Sequence, residues 1–145
     1  MTIMSLVWTN SFAQTPELGT ETNPFLIENP DELKDFRDCI NSTATVFYFA
    51  NGTFVPDTAG MGLSEAVQIP RGGEGKYFKL VTDIVLNAGN VAAYKGQPVT
   101  WEQWIPIGNR VDGSHINSFS GHFDGGGHIV SGLYINSNDP LQGFH

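Results

Sequence analysis

Apolar and polar residues alternate most clearly over residues 118–136, where two alternating runs flank a turn. The first run places Phe119, Gly121 and Phe123 on one face, which is the period of two expected of a half-buried strand. The second run has three large aliphatic residues in phase with one another: Ile129, Leu133 and Ile135.

A compact Asp-Gly-Gly-Gly turn separates these two runs. The glycine run extends from Gly125 to Gly127, and glycine can take positive φ without steric cost. The Asp124 side chain can form a hydrogen bond with the backbone of the turn. The pattern predicts either a hairpin or a sharp corner at this point.

Other strand patterns lie upstream of this turn. Residues 25–27 predict a short strand, and the alternation over residues 77–86 predicts one longer strand. Residues 46–50 and 53–55 flank an Asn-Gly pair, which predicts a hairpin with a tight two-residue turn. The stretch that follows, through Gly75, reads as a glycine-rich loop.

One helix is predicted between the first strand and that hairpin. Asn29 can cap it, Pro30 suits the first helical position, and Glu32 completes a capping box. An apolar stripe follows at helical spacing, formed by Leu33, Phe36 and Ile40. The only cysteine, Cys39, falls within this pattern and is expected to be a small buried residue.

Several short sequence blocks occur in a fixed order along residues 19–136. They are Asn23-Pro-Phe-Leu-Ile27, the helical segment, Tyr77-Phe-Lys-Leu-Val-Thr-Asp-Ile-Val-Leu86, Trp104-Ile-Pro-Ile-Gly108, Phe119-Ser-Gly-His-Phe-Asp-Gly-Gly-Gly-His128 and Gly132-Leu-Tyr-Ile-Asn136. This series resembles the start of bacterial secreted and cell-surface right-handed β-helix proteins of the GLUG-repeat type. The positions that carry the structural motif are Asn29, Pro30, Trp104, Pro106, Gly108, Phe119, Gly121, Phe123, Asp124, Gly125, Gly127 and Leu133.

The resemblance implies a mainly β fold. It implies the N-terminal capping region and first rungs of a right-handed parallel β-helix, with one short capping α-helix over about residues 30–40. Val85 departs from the family pattern, which usually has a second Asp there. The chain ends about where the family's Gly-rich repeats begin, so the resemblance also implies a cap truncated before its repeats.

The expected domain organisation follows from composition along the chain. Residues 1–14 resemble the remnant of a secretory signal peptide, with an apolar stretch followed by Ser11-Phe-Ala13. That stretch is too short to span a membrane. Residues 15–24 are expected to be a polar linker, and residues 25–145 the β-helix cap and first rungs.

Charge narrows the set of partners. The net charge is −8 with only seven Lys and Arg, which argues against nucleic acid because phosphates require basic residues. Seven of the fifteen acidic residues lie between positions 17 and 38, where they are expected to form a solvated surface. No cofactor is predicted, and a weak calcium site on acidic residues is the alternative left open.

Catalytic and metal chemistry can be written from the sequence but is not favoured. Two nucleophilic triads can be formed, from Ser120, His122 and Asp124 or from Ser118, His128 and Asp112, yet neither has the strand-to-helix turn that exposes a catalytic Ser. In a hairpin with a two-residue loop, the imidazoles of His122 and His128 would lie on opposite faces, which argues against a shared metal ion, whereas a loop with an odd number of residues would reverse this. The catalytic acids of a lyase or hydrolase could come from Asp83, Asp112 and Asp124. Asp83 and Asp124, however, are better suited to hydrogen bonds with the backbone of turns. The sequence predicts no catalytic residues.

Tryptophan offers the clearest candidate for ligand contact. Trp104 precedes the Pro-Ile-Gly block and is expected to pack in the core, which leaves Trp101 as the candidate for stacking on a sugar ring.

The sequence therefore predicts a non-catalytic structural or adhesive module of an exported bacterial surface protein, secreted or held at the cell surface. Expected partners are surface glycans or host and extracellular proteins, with self-association through an exposed C-terminal rung as a further expectation. The alternative is the non-catalytic start of a carbohydrate-active β-helix enzyme whose active site lies beyond residue 145.

Overall fold

The computed structural model describes residues 17–55, 66–88, 101–108 and 118–135, and these are mainly strand with one α-helix. In chain order, the elements are β1 (Phe25–Ile27), α1 (Pro30–Asn41), β2 (Val46–Ala50), β3 (Thr53–Val55), β4 (Val67–Pro70), a 3-10 helix (Arg71–Gly73), β5 (Tyr77–Leu80), β6 (Ile84–Val85), β7 (His122–Asp124) and β8 (Val130–Ser131). The expected signal remnant, residues 1–14, lies outside the described ranges.

A parallel sheet in the order β1-β5-β7 forms the centre of the fold. Its register aligns Phe25 with Phe78, and Phe78 with Phe123, so that three phenylalanines form one row across the strands. Because side chains alternate along a strand, this row points to one side of the sheet and its neighbours point to the other. The strand predicted at residues 25–27 is confirmed.

β6 and β8 form a second parallel pair, with Ile84 beside Val130. We call β5, its corner and β6 the first layer, and β7, its corner and β8 the second layer. Backbone bonds tie the layers together on both sides of the corner: His122 N–H donates to Lys76 O at 2.8 Å and Leu86 N–H donates to Ser131 O at 2.8 Å. The second layer therefore repeats the path of the first.

The alternating pattern misled in one place and left two alternatives open in another. Residues 77–86 are not one strand, because the chain turns a corner between β5 and β6. The turn after Asp124 is the corner and not the hairpin, because β7 and β8 pair with the first layer instead of with each other. A period of two specifies which face of a strand is buried, but it does not specify the strand's partner.

The Asn-Gly hairpin is confirmed. β2 pairs antiparallel with β3, and Asn51 and Gly52 both have positive φ, at 52° and 78°, as the tight turn requires. The loop predicted beyond this hairpin contains one more strand, because β4 pairs antiparallel with the other edge of β2. β4 ends at Pro70, and a proline that cannot donate to a ladder suits this outer position.

Helix α1 begins as predicted. The Asn29 side chain accepts from the backbone N–H of Glu32 at 2.9 Å, and Pro30 occupies the first turn. The Glu32 carboxylate in return accepts from the backbone N–H of Glu28 at 2.7 Å. The predicted apolar stripe is buried, and so is Cys39. Reciprocal capping of this kind satisfies N–H groups that a helix start leaves unpaired.

The core lies where the helix, the hairpin and the parallel sheet meet. Phe36 of α1 stands at its centre, with ring centroids 4.7 Å from Phe78, 5.6 Å from Phe54 and 5.7 Å from Phe119. The fully buried side chains include Phe25, Phe36, Phe47, Phe78, Ile27, Ile40, Ile69, Leu80 and Ile84. Each buried Phe or Ile stabilises the fold by roughly 1.5–3 kcal/mol relative to an exposed one.

Candidate functional site

The outer face of the parallel sheet collects polar and aromatic side chains. Strand register places Tyr77 beside His122, and Lys79 between Leu26 and Asp124. All of these point away from the phenylalanine row, because they occupy the alternate positions of β1, β5 and β7. Short parallel strands in register therefore build a surface with chemistry of its own.

Tyr77 and His122 form a stacked pair on this face. Their ring centroids are 4.2 Å apart and the ring planes differ by 13°. Tyr77 is half-buried and His122 is exposed. The stack holds a phenol hydroxyl and an imidazole side by side in a fixed arrangement.

Lys79 and Asp124 form an exposed ion pair two residues further along the same strands, with Nζ 3.2 Å from Oδ2. The other carboxylate oxygen of Asp124 accepts from the backbone N–H of Gly126 at 2.8 Å. This backbone bond first, and then Lys79, lower the pKa of Asp124 below its ordinary value. Asp124 is therefore ionised at neutral pH and fixed in orientation by its own turn.

These side chains border a groove of about 820 Å³. The groove runs across all three parallel strands and reaches the turn before β1. Among the residues that the structure describes, its lining consists of Glu21, Thr22, Pro24, Leu26, Tyr77, Phe78, Lys79, Val81, Gly121, His122, Phe123 and Asp124. It combines an apolar floor with two carboxylates, one ammonium group, one imidazole and two hydroxyls.

A separate contact joins the corners of the two layers. The Asp83 carboxylate in the first corner accepts from the backbone N–H of Ile129 at 3.0 Å and lies 3.3 Å from Nδ1 of His128. The Ile129 bond, followed by the His128 contact, lowers the pKa of Asp83. Asp83 and His128 therefore act here as a structural link between layers.

The structure gives the residues of the first hypothetical triad other partners. The Ser120 hydroxyl contacts Gly72 O at 3.4 Å, His122 stacks on Tyr77, and Asp124 binds Lys79 and its own turn. Asp112 of the second triad lies outside the described ranges.

The hairpin that would place the two histidines on opposite faces does not form. His122 and His128 instead have different neighbours, Tyr77 and Asp83. Within residues 17–55, 66–88, 101–108 and 118–135, no three His, Cys, Asp or Glu side chains are grouped so as to hold a metal ion.

The two candidate tryptophans are both half-buried. Trp104 packs against the core and lies under the guanidinium of Arg37, whose central carbon is 4.9 Å from the ring centroid. Trp101 meets the edge of Tyr134, with centroids 5.6 Å apart and planes at 80°. Neither tryptophan borders the groove on the parallel sheet.

The predicted motif residues around the Pro-Ile-Gly block are held by an asparagine that sequence reasoning did not single out. The side chain of Asn41, the last residue of α1, donates to Pro106 O at 2.9 Å and accepts from Gly108 N–H at 2.8 Å. Asn87 plays a similar part after β6, where it exchanges hydrogen bonds with both backbone groups of Glu102. These two asparagines fix the described 101–108 segment to the layers.

The three in-phase aliphatic residues do not face the core. Ile129, Leu133 and Ile135 are exposed, whereas Val130 packs against the core. Gly126 and Gly127 take positive φ in the second corner, at 58° and 77°, as the turn pattern predicted for the glycine run. The second layer thus carries apolar residues at its surface.

Sequence reasoning also missed the Tyr77 and His122 pair. A signal was present, because Tyr-Phe-Lys at 77–79 and His-Phe-Asp at 122–124 are Phe-centred triplets within two of the sequence blocks. Aligning the two central phenylalanines gives the register, and it brings the flanking polar residues together.

Comparisons with known proteins give one distant relative. No protein-family model matches the sequence, and no solved structure matches it. A protein of Evansella cellulosilytica that bears the name "Putative Gly-rich membrane protein" is 28% identical over 121 residues. The match covers 83% of this chain and 9% of that relative, so the chain spans a small part of the relative's length.

The described ranges hold no helix with the length and apolar character needed to cross a bilayer.

Proposed function

We propose that this chain is the N-terminal capping module of a right-handed parallel β-helix in an exported bacterial surface protein. Its role is structural or adhesive and not catalytic. The observation that carries the proposal is the parallel register of the two layers, in which strand, corner and strand recur side by side. Stacked repeats of this kind bury a continuous core only when each layer has a neighbour.

The burial of the phenylalanine row supports a cap at one end. Phe25 is 0% exposed and Phe78 is 1% exposed, whereas Phe123 in the outermost strand is 42% exposed. Helix α1 and the β2-β3 hairpin cover the row near β1, as the contacts of Phe54 with Phe25 and Phe36 indicate. The row therefore opens toward the side on which a further rung would stack.

Exposed apolar residues of the second layer support the expected self-association. Among the strands that the structure describes, β7 is an edge strand of its sheet, and Phe123 and Ile129 are exposed in the same layer. An open strand edge beside apolar side chains pairs readily with another strand, from the same protein or from a second copy. We propose that, in the natural protein, a further rung of the same chain pairs with this strand edge.

Two features support a setting at the cell surface. Residues 1–14 have the pattern of a signal remnant, and the name of the relative in Evansella cellulosilytica describes a membrane protein. Contact with surface glycans or extracellular proteins belongs to this setting, while a calcium site remains a prediction from the sequence. In the alternative proposal, the same cap begins a carbohydrate-active β-helix enzyme whose active site lies further along the chain.

Protease treatment of intact cells that produce the natural protein tests the proposed location. We expect peptides from residues 17–135 to be released before the cells lyse, at the same time as peptides of a known surface protein. A cytoplasmic protein followed in parallel is the control. Release of these peptides only after lysis would contradict the proposal.

A further inference from the structure

We propose that the groove on the outer face of the parallel sheet binds an uncharged oligosaccharide. The assignment deepens the surface role proposed above and rests on it for the setting in which the protein meets glycans. It also moves the candidate ligand site from Trp101 to the side chains around Tyr77 and His122.

The groove has the size of a ligand site. Its volume of about 820 Å³ lies within the range of roughly 300–1,000 Å³ that small-molecule sites occupy. It crosses β1, β5 and β7, and at about 4.8 Å between neighbouring strands its floor is about 10 Å wide from β1 to β7. A short chain of sugar rings can lie along such a floor.

The backbone beneath the groove disfavours a peptide ligand. Extended peptides bind sheets by adding a strand to an unpaired edge, where main-chain bonds supply the affinity. The groove lies over a face of the sheet whose central strand, β5, is already paired on both sides. A ligand that lies over this central strand is therefore recognised through side chains.

Those side chains match the groups of a sugar. The Tyr77 hydroxyl and the His122 imidazole can each donate or accept, and the Glu21 carboxylate accepts. Sugar hydroxyls also donate and accept, so they can satisfy all three. Leu26 and Pro24 supply an apolar floor for the C–H groups of the ring.

The stack of Tyr77 on His122 favours binding by holding its polar groups in place. The two rings are 4.2 Å apart and restrain each other, so little side-chain freedom remains to be lost when a ligand binds. Rigid aromatic side chains with polar atoms are effective contact groups for this reason.

Charge selects an uncharged sugar over an acidic one. Among the described lining residues, Lys79 is the one with an ammonium group, and this group is already paired with Asp124 at 3.2 Å. Glu21 adds a second carboxylate, and the whole chain carries a net charge of −8. The negative electrostatic potential of these charges would repel a polyuronate, whereas it would not repel a neutral oligosaccharide.

Isothermal titration calorimetry of the purified 145-residue chain tests the proposal. The sugars are cellohexaose, xylohexaose and mannohexaose, with hexagalacturonate as the acidic comparator. We expect saturable binding of at least one neutral hexasaccharide, and a loss of affinity of about ten-fold or more in His122→Ala. Tyr77→Phe keeps the ring and removes the hydroxyl, so we expect a smaller loss from this variant.

Matched controls separate the groove from other surfaces. Tyr48→Phe removes the same hydroxyl from β2, which does not border the groove, and we expect unchanged affinity. Trp101→Ala is expected to leave the affinity unchanged as well. The melting temperature of every variant shows whether it remains folded.

Several outcomes would overturn the proposal. They are an absence of binding to all three neutral sugars, binding of hexagalacturonate alone, or full affinity in a folded His122→Ala variant. Loss in Trp101→Ala with full affinity in His122→Ala would place the site at Trp101 instead. A negative binding result would overturn the proposed sugar site but not the proposed capping module. The capping module is tested separately, by cross-linking between β5 and β7.

Discussion

Two neighbouring residues of the phenylalanine row differ in burial although they share one register. Phe78 is 1% exposed and Phe123 is 42% exposed, yet the two residues are direct partners in adjacent parallel strands. Phe78 has β1 on one side, β7 on the other and α1 above it, whereas β7 is an edge strand among the strands that the structure describes. Burial in a stacked fold is therefore set by neighbouring layers more than by the residue's own strand.

The covered end shows what a stack of short strands needs in order to end. Strands of two to five residues have too little surface to bury a core alone. Helix α1 and the β2-β3 hairpin supply that surface, chiefly through Phe36 and Phe54. Within the described ranges, the second layer has no comparable cover on its outer side, and its aliphatic residues remain exposed.

The largest expected effect is a difference between two equivalent substitutions in this row. Phe78→Ala removes a fully buried ring and should lower the free energy of unfolding by about 3–5 kcal/mol. Phe123→Ala removes a ring that is already half in solvent, so we expect a loss of about 1–2 kcal/mol. Urea unfolding followed by tryptophan fluorescence measures both values. Equal losses would contradict the difference between the covered and open sides of the row.

A glycine pair tests how closely the two layers approach each other. A Cβ at Gly132 would collide with Leu86 O, and the residue also has a φ of 72°. Gly127 has a similar φ of 77°, but a Cβ there would meet nothing within 4 Å. We expect Gly127→Ala to lower the free energy of unfolding by about 1 kcal/mol and Gly132→Ala by about 3 kcal/mol or more, since only the latter adds a clash. Chemical unfolding of both variants gives the comparison, and similar losses would argue against close packing of the layers.

The helix cap provides a smaller effect that is confined to the covered end. Asn29→Ala removes the side-chain bond to Glu32 N–H and should lower the free energy of unfolding by about 1 kcal/mol. Thr43→Ala, at an exposed position just beyond the helix, is the control. Thermal unfolding of the two variants measures the difference, and an Asn29 variant as stable as the control would exclude this cap as a stabilising element.

The smallest effect concerns the link between the corners and depends on pH. The Ile129 N–H and His128 lower the pKa of Asp83 in the folded protein. A lowered pKa means that the stabilising contribution is complete above the ordinary carboxyl value of 3.8 and is lost as the pH falls below it. We expect Asp83→Asn to reduce the acid dependence of the melting temperature below about pH 4. Glu74→Gln, in an exposed turn, is the control, and identical acid profiles for wild type and Asp83→Asn would contradict this link.

The sequence could predict those elements whose stabilising contacts lie within a few consecutive residues. Asn29, Pro30 and Glu32 specify a helix start through bonds within one turn, and Asn51-Gly52 specifies a hairpin through its own φ values. The parallel pairing could not be derived from these signals, because it joins residues far apart in the chain. The alternating pattern at residues 118–136 fits a hairpin and a corner equally well.

The candidate site depended on that same long-range pairing. Tyr77, Lys79, His122 and Asp124 are unremarkable when read along the chain, and they become one surface only when β5 and β7 lie side by side. Sequence reasoning therefore turned to Trp101, whose chemistry is evident without a partner. The Asn41 and Asn87 contacts were missed for the same reason, because their partners belong to a distant segment.

Disulfide cross-linking between β5 and β7 shows whether the two layers stack in parallel. Paired residues in neighbouring strands have Cα atoms about 4.8 Å apart, within the range that a disulfide can bridge. Cys39 can stay in place, because it is buried and its burial raises the pKa of the thiol to about 12.

We predict that Lys79→Cys combined with Asp124→Cys forms a disulfide rapidly under mild oxidation, since these residues are register partners on one face. His122→Cys combined with Ile129→Cys is the matched alternative, because these two residues would face each other in a hairpin with a two-residue loop. Rapid cross-linking of the second pair and none of the first would contradict the stacked layers and restore the hairpin.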